Sequence, residues 1–273
     1  MELRLAICSQ VRAGIERNEF EPYYQPKICL RTGGIAGFEA LLRWRDRGGV
    51  RTPSSLMAAF EDHELAVLLS GKMLDRIVAD MSTWRASGLP FKHVALNTSA
   101  ADFAAFDLAG KVLGGLAAAA LPAETLSIEV TETVLLGREA EMVGPTLREL
   151  HAAGISIALD DFGTGYASLT HLQQFPVDVI KIDRSFIAGI GSDMGSQAIT
   201  AAVLGLGRNL GMTVVAEGVE TAEQAQFLSA AGCSQAQGYY FARPMCGNEV
   251  PGFLLNWPGV KFERAAPLAL SAA

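Results

Sequence analysis

The sequence predicts an α/β protein, a TIM-like (β/α)8 barrel in which one strand runs antiparallel to the rest. Six apolar runs of strand length carry a carboxylate or an amide at or near their ends. They are AGFEALLRW with Glu39, HVALNTS with Asn97, LSIEVTE with Glu129, ISIALDDFGTG with Asp160 and Asp161, TVVAEGVE with Glu217, and SQAQGYYF with Gln237. Such runs mark a parallel barrel whose active site lies at the carboxyl ends of its strands. The spacing agrees: Asn97 to Glu129 is 32 residues, Glu129 to Asp160 is 31 and Lys181 to Glu217 is 36. A strand, a loop and a helix together take roughly 30 residues. Length fits as well, since 273 residues lie near the ~250 of one such barrel.

Taken in order, residues 2–18 read as an amphipathic helix with Leu3, Ile7, Val11 and Ile15 on one face. Two strands follow, PYYQPKICL and IAGFEALLRW, joined by Thr32-Gly33-Gly34. So short a connection makes a hairpin rather than a parallel crossover, so the barrel begins with one antiparallel strand. Helices are then expected near 54–86, 100–119, 138–153, 166–173, 193–210 and 221–231. They alternate with strands around 91–97, 125–130, 155–160, 177–182, 212–217 and 235–241, the rhythm of a parallel α/β architecture. The barrel is expected over residues 1–250. Residues 251–273, with Gly259, Pro267 and an Ala/Leu end, lack a period and read as a C-terminal tail or linker.

Composition excludes several classes. Half the residues are apolar and mean hydropathy is +0.25, yet the apolar runs are short. The longest, around Ala198 to Gly207, falls well below the ~20 residues of a membrane span. The N-terminus lacks the apolar stretch and cleavage site of a secretory signal, so a cytoplasmic location is expected. Cys8, Cys29, Cys233 and Cys246 lie far apart without a CxxC pair and read as reduced thiols. A net charge of −7 argues against duplex DNA or RNA as a partner, because such binding relies on basic patches. His63, His93, His151 and His171 show no spacing that suggests a hydrolase triad. GLGRNLG near 205 lies inside a helical segment, so it is no nucleotide-binding fingerprint.

The strand-end residues point to a metal centre. Two carboxylates about 4 Å apart repel by roughly 4 kcal/mol at an effective dielectric near 20, so a cluster of five needs cations to remain ionised. The candidate ligands Glu39, Asn97, Glu129, Asp160, Asp161 and Glu217 are all oxygen donors. Oxygen-only sets select hard ions such as Mg²⁺ or Mn²⁺. This many carboxylates suggests two ions, with Asp160 as the natural shared ligand, an arrangement suited to in-line displacement at phosphorus. Adjacent Asp160 and Asp161 can reach one ion pair only if the backbone leaves strand geometry, for which Gly163 and Gly165 supply freedom. The alternative is an ordinary Asp-capped strand-to-helix loop.

Lys181, inside VDVIKID, would bury an ammonium among apolar neighbours. It should therefore meet carboxylates or a metal-bound water, either to position or help deprotonate an attacking water or as a structural salt bridge. Arg43, four residues beyond Glu39 on the same strand face, is a candidate phosphate clamp, with a rim salt bridge as its alternative. Gln25 and Gln237 could recognise a base, ligate water or be satisfied buried amides. Glu132 and Glu220 each lie three residues beyond a proposed ligand. Either could brace the DDFGTGY loop or cap the following helix.

The segments YYQP, FEALLRW, LNTS, IEVTET, ALDDFGTGYASL, VIKIDRSFI, VVAEGVET and QGYYFARP closely resemble the EAL domain, the bacterial phosphodiesterase domain specific for cyclic di-GMP. The resemblance covers about residues 8–250 in unbroken order. It implies hydrolysis of cyclic di-GMP to linear pGpG with two Mg²⁺ or Mn²⁺ ions. By the same resemblance Glu39, Asn97, Glu129 and Asp160 hold one ion, and Asp160, Asp161 and Glu217 hold the other. Lys181 contacts the nucleophilic water, Gln25, Arg43 and Gln237 line the substrate and metal region, and Glu132 and Glu220 anchor the loop after Asp161. The resemblance further implies a homodimer and regulatory domains in a longer parent chain. Thr98, Ala167 and SSLMAAFEDHEL depart from the family pattern without removing a proposed ligand. Two other readings are a catalytically silent cyclic di-GMP receptor and a barrel phosphodiesterase for another diester.

Overall fold

The N-terminal hairpin opens the barrel. In a computed structural model of the chain, which describes residues 2–105, 107–136, 140–164, 172 and 174–262, β1 (Phe20–Cys29) and β2 (Ile35–Asp46) pair antiparallel from Phe20↔Trp44 to Ile28↔Ile35. Gly33 turns between them at φ +71°, and a Cβ there would lie 1.8 Å from the Val260 carbonyl oxygen. Glycine meets both demands.

β3 (Gly49–Arg51) extends β2 as a short antiparallel flap. Parallel strands then follow in order: β4 (Val94–Thr98), β5 (Leu126–Thr131), β6 (Ser156–Phe162), β7 (Val179–Ile182), β8 (Thr213–Ala216) and β9 (Gln235–Ala236). β9 pairs antiparallel with β1 through Ile28↔Ala236, closing the ring with β1 as its one reversed strand. β10 (Met245–Cys246) adds to β1. The TIM-like barrel with one antiparallel strand is therefore the fold.

The parallel strands β4 to β9 are largely buried on both faces, as expected when helices cover a parallel sheet. Outward-facing Ile128, Ile157, Ile180 and Val214 pack with Ile77, Met81, Leu116, Leu147 and Leu228 of the surrounding helices. The interior face carries the polar residues Lys27, Glu39, Glu129 and Lys181, all buried.

Helix boundaries differ from the sequence expectation where a capping residue intervenes. The helix expected over 54–86 is a 3-10 turn, Pro53–Leu56, a short helix Met57–Phe60, and a long helix His63–Ala86. The break falls at Asp62, whose side chain accepts from Leu65 N at 3.1 Å and starts the long helix afresh. The segment expected over 100–119 is likewise two helices, Ala100–Ala104 and Leu108–Ala118, the second capped by Asp107 in the left-handed region. Helices Ala140–Ala152, Met194–Leu210 and Ala222–Ala230 lie where periodicity placed them. The helix expected at 166–173 falls outside the described residues save residue 172.

Residues 251–262, expected to begin a tail or linker, instead dock. Val250–Asn256 is a helix, and Phe253 packs 6.5 Å from the Phe38 ring. Trp257 Nε1 donates to the Gly33 carbonyl at 2.9 Å. Apolar side chains spaced for one helical turn seat this helix on the barrel, a short period hidden by flanking Pro and Gly.

Candidate functional site

Each strand delivers its polar side chain to one end of the barrel. Glu39 stands on β2 opposite Gln25 of β1, and Asn97 of β4 pairs in register with Glu129 of β5. Asp160 and Asp161 come from β6 and Lys181 from β7. Glu217 and Gln237 directly follow β8 and β9.

Amides orient Glu39. Its Oε1 accepts from Asn97 Nδ2 at 2.8 Å and its Oε2 from Gln237 Nε2 at 2.5 Å. Gln237 Nε2 also donates to Gln25 Oε1 at 3.0 Å, and Gln25 Nε2 to the Ala242 carbonyl at 3.0 Å. The two glutamines thus form one chain from the carboxylate to the loop after β9.

Lys181, wholly buried, sits among four carboxylates. Its Nζ is hydrogen-bonded to Glu129 Oε2 and lies 2.6 Å from Glu217 Oε1, 3.1 Å from Asp160 Oδ1 and 3.6 Å from Glu39 Oε1. Burial alone would pull its pKa down. The charges of Glu129, Glu217, Glu39 and Asp160 outweigh that and hold it well above the ordinary lysine value. Lys181 is therefore an ammonium, a donor and counter-charge in this arrangement.

Burial pushes the Glu217 carboxyl up to about 8; Lys181 opposes the shift, while Asp160, Glu39 and Glu129 add to it. Asp161 is also raised, by burial first and then by Asp160 and Asp183. Glu217 Oε1 is buried and takes no directional hydrogen bond, despite the nearby ammonium.

The backbone at Asp161 leaves strand geometry. Asp161 itself takes φ +54° and Gly163 takes φ +96°, and the β6 to β7 register shifts between Leu159 and Phe162. The release therefore occurs at Asp161 as well as Gly163, not at the glycines alone; Gly165 lies outside the described residues. Asp tolerates the left-handed region better than most residues. The distortion lets both aspartates face one centre.

Two groups of carboxylate oxygens result, Glu39 with Glu129 and Asp160, and Asp160 with Asp161 and Glu217. Within each group the oxygens lie within 4.8 Å of one another, and Asp160 belongs to both. Donor chemistry and the excess of carboxylates over ammonium groups both fit a pair of hard divalent cations.

The remaining candidates differ in their surroundings. Glu132 Oε1 accepts from Gly163 N at 2.8 Å, tying the start of the loop after β6 to the helix after β5. Glu220 differs: it is exposed, and the next helix is capped by Thr221 and Gln224, with Gln224 Oε1 accepting from the Glu220 and Thr221 N–H groups at 2.8 and 3.1 Å. A Thr-x-x-Gln box does what its position suggested for Glu220. Arg43 is half-buried, lies 5.7 Å over the Tyr23 ring and donates to the Leu42 carbonyl at 2.8 Å.

Two features escaped the sequence reading. Lys27 on β1 is buried and pairs with Glu129 Oε1 at 2.5 Å. The argument made for Lys181, a lysine inside an apolar strand, applied equally to PYYQPKICL. Arg243 stacks 4.2 Å over the exposed Tyr239 ring in the loop after β9, a loop pairing with no periodic signal.

A sequence profile of the EAL domain matches residues 9–244. The chain belongs to the EAL domain family. This EAL domain is 37% identical over 243 residues to the bifunctional diguanylate cyclase/cyclic di-GMP phosphodiesterase MucR of Pseudomonas aeruginosa, covering 89% of this chain and 35% of that protein. It is 37% identical over 236 residues to the cyclic di-GMP phosphodiesterase PA2567 of the same organism, covering 86% of this chain and 40% of that one. The chain thus spans about a third of the length of the curated relatives it matches. Among solved structures, the PaMucR phosphodiesterase in complex with c-di-GMP matches with a TM-score of 0.84 at 37% identity, over 90% of this chain and 99% of that one. The EAL enzyme Bd1971, bound to cAMP and cyclic di-GMP, matches with a TM-score of 0.85 at 27% identity, over 92% of this chain and 69% of that one.

Proposed function

We propose that this EAL domain is a divalent-metal-dependent phosphodiesterase that opens one 3′,5′ linkage of cyclic di-GMP to give linear pGpG. The observation that carries this reading is the pair of carboxylate groups sharing Asp160 at the mouth of the barrel. Glu39, Asn97, Glu129 and Asp160 would hold one Mg²⁺ or Mn²⁺ ion, and Asp160, Asp161 and Glu217 the other. Bound there, the ions supply a water of lowered pKa and neutralise charge on the phosphoryl oxygens.

The chain's own residues do the rest. Lys181, as an ammonium, donates to the attacking water and orients it rather than taking its proton. Asn97 and Gln237 hold both oxygens of Glu39, and Gln25 links that pair to the substrate rim. Arg43, desolvated at the rim beside Tyr23, clamps a substrate phosphate. Glu132 keeps the backbone after Asp161 in place. On this reading residues 1–250 are the catalytic barrel of a longer cytoplasmic signalling protein, acting as a homodimer under domains outside this chain.

The test compares pGpG release by the protein and by Glu39→Ala in Mg²⁺, Mn²⁺ and Ca²⁺. Outer partners of metal ligands cost 10–100-fold when lost, so loss of a ligand should cost at least about 100-fold in turnover with the circular dichroism spectrum unchanged. Tight substrate binding without any pGpG would establish the silent receptor instead.

A further inference from the structure

Glu129 is gripped on both oxygens. Lys27 holds Oε1 at 2.5 Å and Lys181 holds Oε2, with all three side chains buried. The two lysines are not equivalent. Lys181 also lies within 3.6 Å of Glu39, Asp160 and Glu217, inside the carboxylate cluster, whereas Lys27 approaches Glu129 from β1 and forms no other ion pair among the described residues. Next to Lys27, burial, together with Lys27 and Lys92, holds the His93 imidazole down to about 4, leaving that ring neutral near pH 7. Glu129 is thus the counter-charge of Lys27.

Lys181, which bonds Glu129 Oε2, also reaches Glu39 and Asp160, so Oε2 is the oxygen on the cluster side, and an ion held by Glu39, Glu129 and Asp160 would compete with Lys181 for it. Nothing in that exchange displaces Lys27, which lies on the other oxygen. We propose that Lys27 is a positioning residue that reserves Glu129 Oε1, forces Glu129 to bind its ion through one oxygen, and so biases the centre toward small octahedral ions and against Ca²⁺. The inference rests on the metal-centre reading above. Mg²⁺ demands near-ideal six-fold geometry, whereas Ca²⁺ takes six to eight oxygens and readily accepts both oxygens of a carboxylate. Blocking the second oxygen costs Ca²⁺ a ligand and costs Mg²⁺ nothing.

Removing the Lys27 charge also makes the centre more negative. That change favours either divalent ion, so absolute affinity is a poor readout. The ratio of the Ca²⁺ to the Mg²⁺ dissociation constant cancels the shared charge effect and isolates ligation through one oxygen or two.

The test is equilibrium titration of Mg²⁺, Mn²⁺ and Ca²⁺ into the metal-free protein by calorimetry, without substrate, for the parent, Lys27→Met and Lys27→Arg. Lys27→Met should shift the ratio at least tenfold toward Ca²⁺, and Lys27→Arg, which keeps a cationic donor, should stay within threefold of the parent. Should Lys27→Met not fold, Lys27→Gln carries the same expectation, its amide ending one bond short of Glu129. A neutral variant whose ratio matches the parent, or an arginine variant that shifts as far as the neutral one, overturns the role of Lys27. A parent that binds none of the ions overturns the metal centre itself and the inference with it.

Discussion

Glu217 brings a carboxyl to the centre whose Oε1 takes no directional hydrogen bond, and burial pushes its pKa up to about 8 from an ordinary 4.5. Between those values the unfolded chain has released a proton that the folded one still holds. The contribution of this group to stability is therefore fully present below pH about 4.5, and it falls as pH rises toward about 8. Asp161, raised by burial and by Asp160, acts in the same direction. Urea unfolding of the metal-free protein in EDTA should show this decline across that window. Glu217→Gln should flatten it, and saturating Mg²⁺ should flatten it too, since an ion takes the place of the proton. A metal-free stability that rises with pH over the same range would mean that Glu217 ionises freely in the fold.

At the scale of single elements, the bend at the end of β6 determines whether the second carboxylate group forms. Asp161 occupies φ +54° on a residue that carries a Cβ, a conformation costing roughly 1–2 kcal/mol for most L-residues and less for Asp or Asn. Asp161→Asn and Asp161→Ala both remove the charge, but Asn keeps the tolerance for this backbone. The alanine variant should therefore be less stable than the asparagine variant by about 1 kcal/mol in urea unfolding, and equal stabilities would show that no strain resides there. Parts of this element could be read in the sequence. The DDFG run announced that strand geometry must end, because neighbouring aspartates cannot otherwise face one way. That Asp161 itself would turn left-handed could not be read, since the preference is too weak to outrank the two following glycines. Capping followed a similar course: Asp62 and Asp107 divided helices that apolar periodicity alone joined, and Thr221 with Gln224 took the cap offered to Glu220.

Over the whole molecule, closure by β1 brings residues far apart in the chain to one centre. Gln25 meets Gln237, Lys27 meets Glu129, and Glu39 meets Gln237 only because the reversed strand lies between β9 and β2. The centre then sets five carboxylates, Glu39, Glu129, Asp160, Asp161 and Glu217, against two ammonium groups, Lys27 and Lys181. A divalent ion that binds only the folded arrangement must stabilise it by mass action. With free Mg²⁺ at one hundred times its dissociation constant, the gain should be about 2.7 kcal/mol. Thermal unfolding should move upward with Mg²⁺ or Mn²⁺ and not with Na⁺ at matched ionic strength. No shift with either divalent ion would show that the acidic centre is held together by its lysines alone.

What the sequence determined by itself was the order of strands and helices, the reversed first strand, and the acidic and amide side chains that stand at the strand ends. These are local signals: apolar runs of period two, a turn too short for a crossover, and acids where apolar runs stop. Only the tertiary structure decided which lysine pairs with which oxygen of Glu129, that Glu220 stays at the surface, and that the segment after Pro251 docks as a helix. The lysine pairs and the docked helix depend on contacts between residues separated by tens to hundreds of positions, whereas Glu220 is displaced by a cap three to four residues on; an ion pair across a closed barrel leaves no trace in the spacing of either partner along the chain.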